Sequence, residues 1–190
     1  MALNRATKIL LIASSLWYFG EGLFGPLFAI YAEKIGGNLL DITWAWAIYL
    51  IATGLFYAIV GKLFTHSKFK KHLMVFGYGL NALLTFCYIF VHNTEELFIL
   101  QIGLGIAEAV STPIWDSLFA SNLDDAENTF HWSLATGHTH FVSGIAIAIG
   151  GLIANYVSFH ALFITMGIIQ LLATFSQAKL LFWVKDASKN

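Results

Sequence analysis

The chain has 190 residues, of which 58% are hydrophobic, 16% are aromatic and only 11% are charged, and its formal net charge is −1. A soluble domain carries about 25% charged residues, so this composition excludes a water-covered globular surface and indicates an integral membrane protein. The charge leaves no basic surface for nucleic acid, and the single cysteine, Cys87, excludes an internal disulfide or a cysteine-based metal site. We expect no cofactor.

Apolar runs of bilayer-crossing length recur along the whole chain. A bilayer core needs about 20 apolar residues per helix, and the first run is too long for a cleaved secretory signal. The sequence therefore predicts one all-α transmembrane domain over residues 1–190, with six helices and no soluble domain. The predicted helices are Thr7–Ala32, Asp41–Thr65, His72–Val91, Leu97–Ser121, Phe130–Tyr156 and Phe159–Val184.

The distribution of lysine and arginine predicts the orientation in the membrane. Basic residues collect before the first helix, between the second and third, and at the C-terminal end, whereas the other side holds only Lys34. By the positive-inside rule both termini face the cytoplasm, and we expect a prokaryotic plasma membrane. The acidic loop after the fourth helix does not change this, because acidic residues contribute little to the rule.

The first and fourth predicted helices share a phrase. "GEGLFGP" ends at Pro26 and "AEAVSTP" ends at Pro113, these are the only two prolines, and in each phrase a glutamate precedes the proline by five positions. The two helices enter the membrane from opposite sides. Together with an "ATG" shared by the second and fifth helices, this predicts an inverted repeat of helices 1–3 and 4–6. The prolines are candidate bends for gating, or fixed features of shape.

The two glutamates are the main candidates for function. An ionisable side chain within a bilayer is costly and usually lines a cavity or has a partner. Helical spacing places Trp17 on the face of Glu21, and it places Gln101, Thr112 and Trp115 on the face of Glu108. Both faces are interpreted as cavity linings that bind solute or protons, since clustered carboxylates cannot all ionise. Alternatively, each protonated glutamate bonds a neighbouring helix, as Asn81 is expected to do.

Other polar residues give weaker signals. In the fifth helix, His138 or His140 could join the glutamates as a proton relay or a metal ligand, or could be neutral and bonded to a backbone carbonyl. The pattern is weak for a metal site, and none is predicted. Asp116, near the cytoplasmic end of the fourth helix, is expected to have a structural role, pairing with Lys62, Lys70 or Lys71.

The chain resembles the major facilitator superfamily over nearly its whole length. The resemblance is carried by "GPLFAIYAEKIGG", "GLGIAEAVSTPIWDSLFASNLD", "GIAIAIGGLIANYVSFHALF" and "GKLFTHSKFKK", of which the last stands in place of the family's signature loop. In that loop only Gly61, Leu63, Lys70 and Lys71 fit. Such proteins are built from inverted three-helix repeats within each six-helix half. The resemblance implies that helices 1 and 4 line the cavity, and that helices 2 and 5 join the two halves.

This chain has one such half, so it predicts a homodimer whose true two-fold axis replaces the family's internal one. A fragment of a longer protein, or pairing with a different half, are the alternatives. No lysine or arginine lies mid-span, which favours a neutral or cationic solute. The predicted function is proton-coupled secondary transport by alternating access, not enzymatic. A non-transporting receptor or assembly subunit is the alternative, and an intramembrane protease is disfavoured, because Phe141 stands where a protease glycine would precede Ser143.

Overall fold

A computed structural model describes residues 4–64, 67–123 and 128–183, and within them the chain is helical with no strand. The predicted helix ends at Thr65 and Val184, and the acidic loop residues 124–127, lie outside the described residues. A short 3-10 turn at Tyr88–Phe90 extends the fourth of seven helices. The helices are α1 Arg5–Phe24, α2 Leu27–Lys34, α3 Leu39–Phe64, α4 Lys70–Cys87, α5 Thr94–Ala120, α6 Asn128–Tyr156 and α7 Phe159–Trp183.

Five of these helices are long and apolar enough to cross a membrane. They are α3, α4 with its 3-10 turn, α5, α6 and α7. The α1 helix is shorter, at 20 residues, and carries Lys8, Glu21 and several small polar residues. At about 1.5 Å per residue it is still about 30 Å long, close to the thickness of a bilayer core.

The first predicted helix is wrong in one respect, because it is interrupted at Gly25 and Pro26. Gly25 has φ −12° and ψ −89° and donates its N–H to the carbonyl of Glu21, which ends α1. The residue before a proline is disfavoured in helical conformation, and proline itself lacks the N–H that would continue the ladder. The chain resumes as the separate helix α2, whereas Pro113 lies inside the unbroken α5.

Asparagine side chains cap the N-terminal ends of three helices, α1, α3 and α5. The Asn4 side chain accepts from the N–H of Thr7 at 2.7 Å, and Asn93 accepts from the N–H of Glu96 at 2.9 Å. Asn38 caps α3 in the same way, accepting from the N–H of Leu40 at 2.8 Å. These contacts satisfy backbone donors that a helix start leaves unpaired.

The helices pack in a chain of neighbours. The α3 helix packs against α5, α5 against α4, α4 against α7, α7 against α1, and α1 against α6. As a result α5 is largely buried, whereas α3 and α6 lie at the two ends of this series and expose most of their apolar surface.

Two apolar clusters form the core, one toward each side of the membrane. The first is aromatic: the Phe24 ring packs edge-to-face on Phe28, Tyr88 and Phe163. The second, around Leu10, Met74, Leu118 and Phe119, joins the other ends of α1, α4 and α5. Polar side chains, Glu21 and Glu108 among them, lie at the level between the two clusters.

Glycines allow the close helix crossings beside the glutamates. A Cβ at Gly150 of α6 would overlap the backbone of Leu23 in α1, and one at Gly105 of α5 would lie 2.7 Å from the Tyr49 carbonyl of α3. Gly150 therefore contacts α1 of its own chain. Open space surrounds Gly137, Gly144 and Gly151.

Candidate functional site

Glu21 is held by two carboxamides. It lies one helical turn before the break in α1, and its Oε1 accepts from Asn81 Nδ2 of α4 at 3.1 Å and from Gln170 Nε2 of α7 at 3.1 Å. Gln170 Nε2 also donates to the carbonyl of Trp17 at 3.2 Å, which fixes the amide against α1. Both amides are buried, while Glu21 itself remains accessible. Three helices therefore converge on one carboxyl oxygen.

The accessible side of Glu21 faces a cavity of about 250 Å³. Aromatic rings form much of its wall: Phe24, Phe28, Trp46, Tyr49 and Tyr88. The polar lining residues are Glu21, Asn81, Gln101 and Ser143, with no lysine or arginine among the described lining residues. A cavity with apolar walls and a few convergent polar groups is typical of a site for a small molecule.

Glu108 has different partners, which are phenols. The Tyr49 hydroxyl donates to its Oε2, and the Tyr57 hydroxyl donates to its Oε1 at 3.3 Å. Both tyrosines belong to α3, the helix that crosses α5 at Gly105. The half-buried carboxyl is thus clamped between α3 and α5, and Tyr49 also reaches the wall of the cavity that Glu21 faces.

The two environments suit different chemistry. A carboxamide N–H can only donate, so it bonds best to an ionised carboxylate. A phenol hydroxyl can donate to a carboxylate or accept from a carboxylic acid, so Glu108 keeps its hydrogen bonds in either protonation state. Tyr49, which bonds Glu108, also lines the cavity that Glu21 faces, so one side chain connects the two sites. The arrangement offers an anionic group at a cavity beside a carboxyl that tolerates protonation.

Comparison with known proteins identifies the family. The sequence profile of the Major Facilitator Superfamily matches residues 10–190. The chain belongs to the Major Facilitator Superfamily. The resemblance expected from the sequence is therefore confirmed, and with its apolar helices the protein is a multi-pass integral membrane protein.

Three similar proteins differ in how much of their length this superfamily member covers. The chain is 21% identical over 160 residues to the uncharacterized MFS-type transporter YitZ of Bacillus subtilis, covering 82% of this chain and 94% of that protein. It is 26% identical to the MFS-type transporter MJ1560 of Methanocaldococcus jannaschii, covering 90% of this chain and 44% of the relative. It is 25% identical to the proton-coupled antiporter flippase LtaA of Staphylococcus saprophyticus, covering 69% and 34%. The chain thus spans nearly all of the first relative and less than half of the other two.

The other site residues predicted on α1 and α5 of this superfamily member border two different cavities. Gln101 lies at the cavity of Glu21, where its Oε1 accepts from the Tyr88 hydroxyl at 3.2 Å. Trp17 and Trp115 pack instead: the Trp17 ring lies 4.5 Å from Tyr78, and Trp115 stacks on Phe119 and donates its N–H to the Leu10 carbonyl. Both tryptophans border a second, much smaller cavity of about 30 Å³, together with Thr112 and Asp116.

The two histidines lie apart from the glutamates. A ring nitrogen of His138 is 3.3 Å from the Ser15 hydroxyl of α1, which positions this imidazole between α6 and α1. His140 is exposed and borders an open cavity with Trp132 and Thr136 on α6. Among the described residues, no group of three potential metal ligands comes together.

The residues that fit the family's signature loop lie at the facing ends of α3 and α4. Gly61 lies in the last turn of α3, and Lys70 and Lys71 open α4. The expected pairing of Asp116 with a lysine is not seen: within the described segments no ion pair joins it to Lys62, Lys70 or Lys71. The reason is that Asp116 faces the 30 Å³ cavity, with Tyr18 and Tyr78.

Sequence reasoning missed Tyr49, Tyr57 and Gln170 as partners of the glutamates. Tyr49 and Tyr57 are eight residues apart, which is close to two helical turns and places them on one face of α3. Gln170 is a fully buried polar residue in the middle of the apolar α7. Polar residues at such positions are a usable signal, although their partners lie more than 50 positions away in the chain.

Proposed function

We propose that this protein is a proton-coupled secondary transporter of a small neutral or cationic solute, working as a homodimer by alternating access. The observation that carries the proposal is the convergence of two carboxyl groups, Glu21 and Glu108, within a bundle of membrane helices and beside a cavity. Ionisable groups in such a place are costly unless they serve transport or proton relay. The named relatives are transporters, which favours this reading over an enzyme.

The helix packing supports a six-span, three-plus-three inverted repeat. With α1 and α2 counted as the first span, the repeat would pair α1 with α5, α3 with α6, and α4 with α7. When the members of each pair are exchanged, every main helix contact becomes another main helix contact. The α3–α5 contact becomes the α6–α1 contact, the α4–α5 contact becomes α7–α1, and α4–α7 maps onto itself. This is the relation that inverted repeats of the superfamily have.

Three observations support a homodimer. The chain matches the relative YitZ over 94% of that protein but matches only 44% of MJ1560, so half-length and double-length relatives both occur. The α3 and α6 helices expose large apolar side chains, including Leu55 and Phe141, and a partner or lipid must cover them. Open space surrounds Gly144 and Gly151 of α6, which leaves room for a second backbone. In the dimer the two cavities join into one central site.

The lining of the 250 Å³ cavity favours a cation among the proposed solutes. A carboxylate attracts positive charge, and aromatic faces stabilise a desolvated cation by about 1–2 kcal/mol each. One oxygen of Glu21 is anchored, and no described residue bonds the second, which remains free for a ligand. The absence of basic residues from the described lining disfavours phosphates and carboxylates.

Glu108 is the proposed proton carrier. Its phenol partners serve both protonation states, so it can gain and lose a proton without leaving a buried polar group unpaired. The relative LtaA is named a proton-coupled antiporter, which supports proton coupling here. In the proposed orientation both termini face the cytoplasm of a prokaryotic cell and the plasma membrane is the site of action.

Proteoliposomes loaded with the pH indicator pyranine test the proposal. Tetraethylammonium, choline and the neutral choline isostere neohexanol are added outside, and we expect at least one to change the internal pH with wild-type protein. The double variant Glu21→Gln, Glu108→Gln should abolish the response, while Ser117→Ala, which lies outside both cavities, should not. If no probe crosses under any gradient, the receptor or assembly-subunit alternative is favoured.

Light scattering in a mild detergent tests the homodimer. We expect a protein mass of about twice 21.0 kDa, and a monomer after Gly144→Trp fills the open face of α6. A wild-type monomer that transports would contradict the shared-cavity mechanism.

A further inference from the structure

The small cavity at Asp116 lies between Glu108 and one end of the helix bundle. We propose that Asp116 is the cytoplasmic entry point of a proton path that runs through Thr112 and Tyr57 to Glu108. This inference rests on the proposed function, because Glu108 needs a path to the solution only if it carries protons. It gives Asp116 a role different from the lysine pairing that the sequence suggested.

The inner part of the path begins with a side-chain hydrogen bond. The Tyr57 hydroxyl donates to Glu108 Oε1 at 3.3 Å, and Thr112 is the next hydroxyl on that face of α5. Thr112 follows Glu108 by one helical turn on α5, on the same face. Two hydroxyl oxygens therefore lead from the carboxyl of Glu108 toward the end of α5.

The outer part of the path is the cavity of about 30 Å³, which Thr112 and Asp116 both line. A polar cavity of about 10–15 Å³ or more can hold a water molecule that finds two to four partners. The hydroxyls of Ser14, Tyr18 and Tyr78 border the same space. A single water molecule there can bridge Thr112 and Asp116.

Asp116 is placed to exchange protons with solution. It is an exposed residue four positions before the end of α5 at Ala120. The titratable groups that line the same cavity are phenols, Tyr18 from α1 and Tyr78 from α4. Within the described segments no lysine or arginine pairs with it. Among the described residues its carboxyl thus has no ion-pair partner.

Each step moves one proton between two oxygens. A proton from solution binds Asp116, whose O–H then breaks as the proton passes to the bridging water. The water gives a proton to Thr112 Oγ, Thr112 gives its own to Tyr57 Oη, and Tyr57 gives its own to Glu108 Oε1. Every intermediate group ends with as many protons as it began with, and the net change is one proton moved from solution to Glu108.

Glu21 has no comparable chain. Its bonded partners among the described residues are the amides of Asn81 and Gln170, which donate hydrogen bonds but are not general acids or bases. The hydroxyl chain therefore assigns the solution-linked proton to Glu108.

Infrared spectroscopy of the protein reconstituted in a bilayer tests the path without any solute. After a rapid pH change, the carbonyl band that disappears in Glu108→Gln reports the protonation of Glu108. We expect Asp116→Asn and Thr112→Val to slow this band by about tenfold or more while its final amplitude is kept. The matched variants Asp116→Glu and Thr112→Ser, and the control Ser117→Ala, should follow the wild-type rate.

The outcomes separate the path from the proposed function. If the band titrates in every variant at the wild-type rate, the path is wrong and proton carriage by Glu108 stands. If no Glu108-dependent band titrates in the wild type, proton carriage by Glu108 and the path both fail. A loss of amplitude together with a lower melting temperature in Asp116→Asn would assign Asp116 a structural role and overturn the path.

Discussion

The two glutamate–proline phrases have the same spacing in the sequence but differ in the structure. After Glu21 the helix breaks, and α2 begins beyond Pro26; after Glu108 the helix runs through Pro113 to Ala120. Gly25 precedes the first proline and Thr112 precedes the second. Glycine combines low helix propensity with wide conformational freedom. The helix therefore breaks at the first proline and continues through the second.

The partners of the two carboxyl groups differ as well. Glu21 lies between the amides of α4 and α7 and faces the larger cavity, whereas Glu108 lies between two phenols of α3. A repeated sequence motif therefore supplies two carboxylates with different chemistry. The role of each glutamate is therefore set by the helices packed against it, not by the phrase that contains it.

The largest expected effect concerns the contact that holds the broken helix. Gly150→Ala should destabilise the protein by about 3 kcal/mol or prevent folding, because its Cβ overlaps the Leu23 backbone two residues from Glu21. Gly144→Ala, with open space around it, is the matched control and should leave stability unchanged or raise it by up to about 1 kcal/mol, because alanine has the higher helix propensity. Thermal unfolding in detergent measures both. Equal stability of the two variants would show that α6 does not support the break.

A double-mutant cycle tests whether the two carboxyl environments are separate. Asn81→Leu removes a donor to Glu21 and should cost about 1–3 kcal/mol. Its coupling energy with Glu21→Gln should be about 1 kcal/mol, and with Glu108→Gln it should be near zero. Chemical denaturation of the wild type, the three single variants and the two double variants gives these values. Similar coupling energies with both glutamates would show that the two carboxyl groups share one interaction network, which would contradict the separation.

The smallest expected effect concerns the prolines themselves. Pro26→Ala supplies an N–H that can reach the carbonyl of Gly22 and join α1 to α2, so amide exchange around residues 26–28 should slow by about tenfold. Pro113→Ala should change exchange in α5 much less, because that helix is already continuous. Hydrogen exchange followed by mass spectrometry measures both segments. Faster exchange in Pro26→Ala would contradict the account of the break.

Much of the fold follows from the sequence, because long apolar runs in a chain with few charges leave little choice but membrane helices. The polar residues that face Glu21 and Glu108 follow less well. Asn81 was expected to bond between helices, but its partner depends on how α4 packs against α1. Tyr49 and Tyr57 read as ordinary membrane aromatics until α3 is placed against α5. The sequence marks Pro26 and Pro113 equally as candidate bends, but only the helix at Gly25–Pro26 breaks. Proline alone therefore does not determine where a helix is interrupted.

In the proposed mechanism Glu21 binds the solute and Glu108 carries the proton. Proteoliposomes that report both tetraethylammonium exchange and proton flux distinguish these two roles. For Glu108→Gln the account predicts exchange near the wild-type rate with the linked proton flux lost, and for Glu21→Gln it predicts that both are lost. Equal loss of both activities in the two variants would contradict the division, as would proton flux that persists in Glu108→Gln.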